Sequence, residues 1–147
     1  MDEEFMKEVI EEAKKTKGEY KTPYAALIVR NGKIITKVHN EIKKNLDPTC
    51  HAEINAIRKA CQILKTTDLS GCTLYATCEP CSMCFTAAWW ANIPKIVYGA
   101  SIEDATKGNR RQIEITTKTL NEQSGNKIEI KRNVLRKECI KLFERLL

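Results

Sequence analysis

Apolar residues recur at helical spacing in three parts of the chain. Residues 51–64 and residues 135–146 show this spacing, and so does the N-terminal stretch, where Gly18 follows the apolar positions Phe5, Met6, Val9, Ile10 and Ala13. Apolar residues three and four positions apart share one face of a helix, and a glycine commonly follows a helix end. The pattern therefore predicts amphipathic helices at the start, in the middle and at the end of the chain.

A β-hairpin is predicted after the first helix. Residues 24–29 and 33–38 are β-rich runs, and they flank the dipeptide Asn31-Gly32. Asn-Gly is the strongest short-range signal for a two-residue hairpin turn, because both of its residues readily adopt positive φ. The two runs are therefore expected to pair as antiparallel strands.

Strands and helices alternate in the rest of the chain. Pro80 is expected to open a further helix that continues to about Ala91, because proline suits the first helical turn. Three more runs have the composition or the alternation of strands: residues 72–77, 95–98 and 127–131. This order predicts an α/β fold, a mixed sheet with helices on both faces. No repeat or linker interrupts it, so residues 1–147 are expected to form a single domain.

Composition narrows the class of protein only slightly. The chain has 147 residues and a net charge of +6, which weakly indicates a polyanionic partner. It contains no apolar run near the roughly 20 residues that a membrane span needs, and its acidic start differs from a secretory signal. We therefore expect a cytoplasmic protein without membrane association. In that reducing compartment the seven cysteines are expected to be core residues or metal ligands.

Candidate chemistry is concentrated in two motifs, His51-x-Glu53 and Pro80-Cys81-x-x-Cys84. At the start of a helix, cysteines three positions apart lie on one face, where the helix dipole favours the thiolate form. One imidazole and two thiolates can bind zinc through three ligands, and an open fourth position is typical of a catalytic site. We therefore predict one Zn²⁺ per chain, bound by His51, Cys81 and Cys84.

Glu53 is the candidate catalytic residue. It lies two positions from His51, close enough to exchange protons beside the metal without binding it. Metal-assisted hydrolysis needs a group that takes a proton from water and passes it to the leaving group. Such a general acid/base typically contributes ~10²–10⁴-fold in rate. The competing hypothesis is a non-catalytic zinc-binding module, in which Glu53 would be dispensable.

Together, the two motifs resemble the signature of the zinc nucleobase deaminases, in the cytidine-deaminase-like superfamily. Residues 47–53 and 74–84 are similar to the branch that holds guanine deaminases and tRNA adenosine deaminases. The resemblance covers residues 2–105 well and the remainder more loosely. It implies a three-layer α/β/α sandwich around a five-stranded mixed sheet, with the metal between two helix N-termini, and it implies a homodimer.

The resemblance also implies contacts with the substrate. Asn40 corresponds to an asparagine that hydrogen-bonds the substrate, and the backbone around Ala52 is expected to contact the base. Trp90 corresponds to a tryptophan that flanks the purine in guanine deaminases. Residues 101–105 are similar to the same branch, and Asp104 is assigned a substrate contact within them. We therefore predict a hydrolase that deaminates a free purine base, with guanine as the first candidate, to give xanthine and ammonia.

One departure from the guanine deaminases leaves other substrates open. Those enzymes carry a Gly-aromatic-Asp-Asp stretch whose acid reads the guanine edge, whereas residues 108–112 here read Gly-Asn-Arg-Arg-Gln. Arg111 or Gln112 would donate a hydrogen bond where that acid accepts one. The alternatives are a tRNA adenosine deaminase that acts at the anticodon, which the positive charge favours, and a deaminase of cytosine or another nucleobase or nucleoside. Residues 113–125 have a loosely helical pattern and are a candidate lid.

Overall fold

The computed structural model describes residues 1–146 of the chain. Five strands form its sheet: β1 (Ala25–Arg30), β2 (Lys33–His39), β3 (Cys72–Cys78), β4 (Lys95–Ala100) and β5 (Glu129–Lys131). The α-helices within these residues are α1 (Asp2–Lys14), α2 (Ile42–Asn45), α3 (Ala52–Leu64), α4 (Ser82–Trp90), α5 (Ile102–Lys107), α6 (Thr117–Gln123) and α7 (Arg136–Glu144). The strand order across the sheet is β2-β1-β3-β4-β5.

The sheet is mixed, as the sequence predicts. Strand β1 pairs antiparallel with β2 and with β3, whereas β3, β4 and β5 run parallel to one another. The predicted hairpin joins β1 to β2, and its turn residues Asn31 and Gly32 have φ values of 51° and 75°. Positive φ at both turn positions matches the right-handed twist of the flanking strands, which explains why this dipeptide fixes the register.

Helices cover both faces of the sheet and give it two cores. Strand β1 shows the division, because alternate side chains of a strand point to opposite faces. Leu27 and Val29 pack with α1 and α7, whereas Ala26 and Ile28 pack with α3 and α4. The predicted α/β sandwich with a five-stranded mixed sheet is confirmed.

Several element boundaries differ from the prediction. Pro80 lies outside α4, since Cys81 is the N-cap residue of that helix. The final helix starts after Leu135, whose φ of 53° is left-handed, and β5 has three residues rather than five. Helices α2 and α5 were not predicted, because four- and six-residue helices are too short to show a repeating apolar pattern. Within residues 1–146, no helix is both long and apolar enough to span a bilayer.

Candidate functional site

The two motifs meet where helices α3 and α4 begin side by side. His51 is the N-cap residue of α3, Cys81 is the N-cap residue of α4, and Cys84 lies in the first turn of α4. His51 Nδ1 is 3.6 Å from Cys81 Sγ and 3.5 Å from Cys84 Sγ. A tetrahedral zinc ion with bonds of ~2.05 Å to nitrogen and ~2.3 Å to sulfur separates such atoms by about 3.5 Å. The three side chains therefore have the spacing that a zinc ion requires.

The local electrostatics favour metal binding at this point. A hydrogen bond from the Cys84 thiol, helped by His51, outweighs burial and lowers the pKa of Cys81 to about 4. The same sulfur–sulfur hydrogen bond, together with burial, raises the pKa of Cys84 far above its usual range. One thiolate is therefore already present at neutral pH. Zinc binds the thiolate and the neutral imidazole, so metal binding releases the Cys84 proton and also competes with protonation of His51, whose pKa is raised by its hydrogen bond with Cys81.

Glu53 lies in the first turn of α3, beside the potential ligands. Its residue surface is 6% exposed. Burial, followed by the negative charge of Cys81, raises the pKa of Glu53 to about 7, and the nearby His51 opposes part of this shift. A carboxyl group with a pKa near neutrality can both accept and return a proton, as general acid/base catalysis requires.

A cavity of about 240 Å³ opens beside the metal-binding side chains. Its lining residues are Tyr24, Asn40, Ile42, His51, Glu53, Cys78, Glu79, Cys81, Arg110, Arg111 and Gln112. Typical small-molecule sites occupy ~300–1,000 Å³, so this volume suits a single ring system better than a larger ligand. The fold thus brings four of the site residues expected from the sequence to one cavity: Asn40, His51, Glu53 and Cys81. The fifth, Cys84, is fully buried in α4.

Three other residues expected to contact substrate are not among the residues that line this cavity. The Ala52 side chain is fully buried in the core, but the expected contact is with the backbone here, and the flanking residues His51 and Glu53 both line the cavity. Trp90 is 72% exposed in the last turn of α4, with its ring edge-on to Trp89, and it is therefore at the opposite end of the helix from Cys81. Asp104 caps α5 and binds the Arg136 guanidinium through both carboxylate oxygens, at 2.7 and 2.9 Å. Among residues 1–146, none of the three lines the cavity.

Glu79, two positions before Cys81, connects the start of α4 to the C-terminal part of the chain through hydrogen bonds. The side chain is buried, and its Oε1 accepts a hydrogen bond from the Ile102 backbone N–H at 3.0 Å. Its Oε2 accepts hydrogen bonds from the Thr117 backbone N–H at 2.9 Å and from the Thr117 hydroxyl at 2.8 Å. Both carboxylate oxygens are thus engaged, and Glu79 fixes the starts of α5 and α6 beside the cavity.

The sequence analysis did not identify Tyr24 as a site residue. Tyr24 immediately precedes β1, and its hydroxyl accepts a hydrogen bond from Gln112 Nε2 at 3.1 Å. Burial is the main cause that raises the pKa of Tyr24 above its usual range, so its hydroxyl stays neutral. A polar residue next to a buried strand is a weak sequence signal for a site. Nothing in the local sequence indicates that Tyr24 contacts Gln112, which lies 88 positions later.

A wider groove adjoins the cavity. It has a volume of about 620 Å³ and shares Tyr24, Asn40, Ile42 and Arg110 with the cavity lining. Its remaining charged side chains are mostly basic: Lys21, Lys43, Lys44 and Arg145, against Glu19 and Glu41. The cavity therefore opens toward a surface on which an anionic extension of a substrate would be favoured.

Comparison with known proteins gives relatives of two substrate classes. The family described as the cytidine and deoxycytidylate deaminase zinc-binding region matches residues 1–100. A tRNA-specific adenosine deaminase from Aquifex aeolicus is 44% identical over 98 residues, which cover 67% of this chain and 65% of that protein. A guanine deaminase from Bacillus subtilis is 45% identical over 85 residues, which cover 58% and 54%.

The solved structures agree with the sequence relatives. A guanine deaminase structure from Nitrosomonas europaea superimposes with a TM-score of 0.84 at 25% identity, and the match covers 97% of this chain and 82% of that one. The matches to the two curated relatives span less than two thirds of those relatives' lengths. The family match contains both metal-binding motifs in full. The chain therefore belongs to the cytidine and deoxycytidylate deaminase family of zinc-binding domains.

Proposed function

We propose that this chain is a hydrolytic deaminase that replaces an exocyclic amine of a nucleobase with oxygen. The observation that carries the proposal is the meeting of His51, Cys81 and Cys84 at zinc-binding distances beside the buried carboxyl of Glu53. Three protein ligands leave one position of a tetrahedral zinc ion open, which is typical of catalytic rather than structural sites. The cavity beside them has the volume of a ring-sized ligand.

In this proposal, His51, Cys81 and Cys84 would hold a zinc ion, and Glu53 moves the protons. The bound ion would supply the Lewis acidity that activates water at neutral pH. Glu53 takes one proton from the attacking water and delivers it to the ring nitrogen beside the reacting carbon. Glu53 then carries the second proton to the amine, a C–N bond breaks, and ammonia leaves as the new C–O bond becomes a carbonyl. Glu53 is buried beside the three candidate ligands, which places its carboxyl group where both halves of this transfer occur.

Guanine is the substrate that we propose first, with xanthine and ammonia as products. The cavity volume of about 240 Å³ favours a base without its sugar. Two of the similar proteins described above are guanine deaminases, from B. subtilis and N. europaea. Asn40 lines the cavity and is proposed to hydrogen-bond the base.

Adenosine in tRNA is a second candidate, and the basic groove is the observation that favours it. A flipped base would enter the cavity while the phosphates on either side lie along Lys21, Lys43 and Lys44. The A. aeolicus relative is named for this activity. Phosphate contacts make binding depend steeply on salt, whereas a free base would be deaminated at nearly the same rate at low and high salt.

The direct test is ammonia release by the zinc-loaded protein. Guanine, cytosine, adenine, their nucleosides and an anticodon stem-loop RNA would be compared at low and high salt. Turnover of guanine, with little dependence on salt, is the expected result. Turnover of the RNA alone would support the second candidate. No ammonia release from any of these compounds would contradict the proposed function.

We also propose the homodimer that the family resemblance implies. Trp90 is 72% exposed, and a large aromatic side chain on the surface is typical of protein contacts. Light scattering after gel filtration should give twice the chain mass of 16.8 kDa. A monomer at micromolar concentration would overturn this part of the proposal.

A further inference from the structure

Tyr24 contacts two residues with carboxamide side chains that line the cavity: Asn40 through the backbone and Gln112 through the side chain. Its backbone carbonyl accepts a hydrogen bond from the Asn40 backbone N–H at 3.0 Å, and its hydroxyl accepts one from Gln112 Nε2 at 3.1 Å. The Tyr24 ring packs edge-on against Phe143 of α7, with 5.8 Å between ring centroids. The Tyr24 ring is therefore held by Phe143 and Gln112, and Tyr24, Asn40 and Gln112 all line the cavity.

The protein contacts of these carboxamides determine what each still offers to a ligand. Asn40 Oδ1 accepts a hydrogen bond from the Ile42 backbone N–H at 3.0 Å, which leaves the Asn40 NH₂ group as a donor. Gln112 Nε2 donates to Tyr24, so Gln112 presents its carbonyl oxygen as an acceptor rather than the donor expected from the sequence. Within residues 1–146, Asn40 Nδ2 and Gln112 Oε1 have no protein hydrogen bond. The cavity wall thus presents one donor and one acceptor.

We propose that Gln112 and Asn40 read a lactam edge, a ring N–H beside a C=O, and that Tyr24 is the residue that positions Gln112 for this. Gln112 Oε1 accepts from the ring N–H, and the Asn40 NH₂ donates to the ring carbonyl. Guanine has this edge at N1–H and C6=O. Adenine and 2,6-diaminopurine reverse it, with a ring-nitrogen acceptor beside an amino donor. The inference rests on the proposed function and narrows its substrate to lactam rings.

The experiment compares guanine with 2,6-diaminopurine, which carries the same 2-amino group but no lactam. The kcat/KM for loss of the 2-amino group is measured for both, with the products identified by chromatography. A buried polar group without its partner costs ~5- to 150-fold in affinity, so the wild-type protein should prefer guanine by a factor in this range. Tyr24→Phe and Gln112→Leu should each reduce that preference at least ~5-fold, mainly by raising the KM for guanine.

Two variants serve as controls. Gln112→Glu loses the Nε2 donor, but the Tyr24 hydroxyl can donate to one carboxylate oxygen and leave the other as the acceptor, so this variant should keep the preference for guanine. Tyr75→Phe also removes a tyrosine hydroxyl that makes a hydrogen bond, at 2.6 Å to Asp2, but this hydroxyl is remote from the cavity. Tyr75→Phe is expected to lower stability and leave the preference unchanged. Zinc content should be equal in all of these variants, because none of the changed residues is a candidate ligand.

The outcomes separate this inference from the proposed function. If wild-type protein deaminates guanine and Tyr24→Phe and Gln112→Leu leave the preference unchanged, the inference is overturned and the proposed function stands. If the wild-type protein deaminates only adenosine in RNA, the inference is overturned, since adenine has no lactam. If no amine is released at all, the proposed function fails. The inference is then tested by measuring the binding of xanthine, which also carries the lactam edge, by calorimetry. Equal affinities of the wild type and both variants, or no binding, would then overturn it.

Discussion

The first 100 residues and the last 46 described residues differ in how they are built. Residues 1–100 hold the four longest strands, the long helices α1 and α3, and every candidate zinc ligand. Residues 101–146 form short elements, such as the three-residue β5, which depend on contacts with the first region. The family match ends where this division lies. The difference indicates that the metal chemistry comes from local motifs, whereas the substrate-reading wall is assembled by contacts between the regions.

The largest expected effect comes from removing a ligand in the first region. Cys84→Ser should reduce zinc content from about one per chain to a small fraction of that, because a hydroxyl is a poor substitute for a thiolate. Ammonia release should fall to the assay background. Metal analysis after dialysis, with activity measured on the same samples, checks both. Cys61→Ser is the matched control, since Cys61 lies in α3 apart from the metal-binding group, and it should retain zinc and activity.

The link between the regions is tested by Glu79→Ala. This change leaves the Ile102 and Thr117 donors buried without their acceptor, and we expect a loss of about 2–3 kcal/mol in the free energy of unfolding. Urea denaturation of the zinc-loaded protein measures it. Glu103→Ala removes an exposed carboxylate that pairs with Lys107, and it should cost under about 0.5 kcal/mol. Equal effects of the two variants would contradict the anchoring role of Glu79.

Docking of α7 on the sheet is tested by Gly99→Ala. A methyl group at Gly99 in β4 would overlap the Cys139 side chain and lie 2.9 Å from the Val134 carbonyl oxygen. Overpacking of this kind typically costs about 1–3 kcal/mol, and zinc content should not change. Adding Cys139→Ala should restore part of the loss, because it removes the sulfur but not the carbonyl. Full stability of Gly99→Ala alone would show that α7 docks less closely.

The smallest effect is a pH-dependent one at Asp2. Burial opposes ionisation of Asp2, but hydrogen bonds from Lys131 and Tyr75 and the charge of Lys95 outweigh it and lower its pKa to about 2. Because the folded pKa lies below the ordinary value of 3.8, this stabilisation is present above pH 3.8 and is lost as pH falls toward 2.

Comparing Asp2→Asn with the wild type checks this. At pH 6 the variant should lose about 1 kcal/mol in the free energy of unfolding, a value reduced for solvent screening. The difference should shrink as pH falls below 3.8 and vanish only below pH 2. A difference that stays constant from pH 6 to pH 2 would mean that the Asp2 carboxylate does not carry the effect.

Local signals explain what the sequence predicted well. Asn31-Gly32 predicts its hairpin because the turn depends on two adjacent residues. His51 with Glu53, and Cys81 with Cys84, predict a metal site because each pair falls within one helical turn. The meeting of the two pairs in space depends on the fold. The resemblance to the deaminase family implied this arrangement.

Long-range pairing explains what the sequence did not predict. The hydrogen bond between Tyr24 and Gln112 joins residues 88 positions apart, and no periodicity indicates it. Asp104 was assigned to the substrate, yet it has an Arg136 partner 32 positions later that occupies both of its oxygens. Its local role was visible, since Ser101 and Asp104 have the spacing of a capping box. Distant side chains decide which polar residues remain free for a ligand.

The most direct test of the central claim is Glu53→Gln, measured for zinc content and ammonia release together. Glutamine fills the same buried volume but cannot carry a proton, so the variant should retain about one zinc per chain and lose ~10²–10⁴-fold in turnover of whichever amine the wild type deaminates. That result would separate metal binding by His51, Cys81 and Cys84 from proton transfer by Glu53. Turnover within a few-fold of the wild type, with zinc bound, would contradict the account.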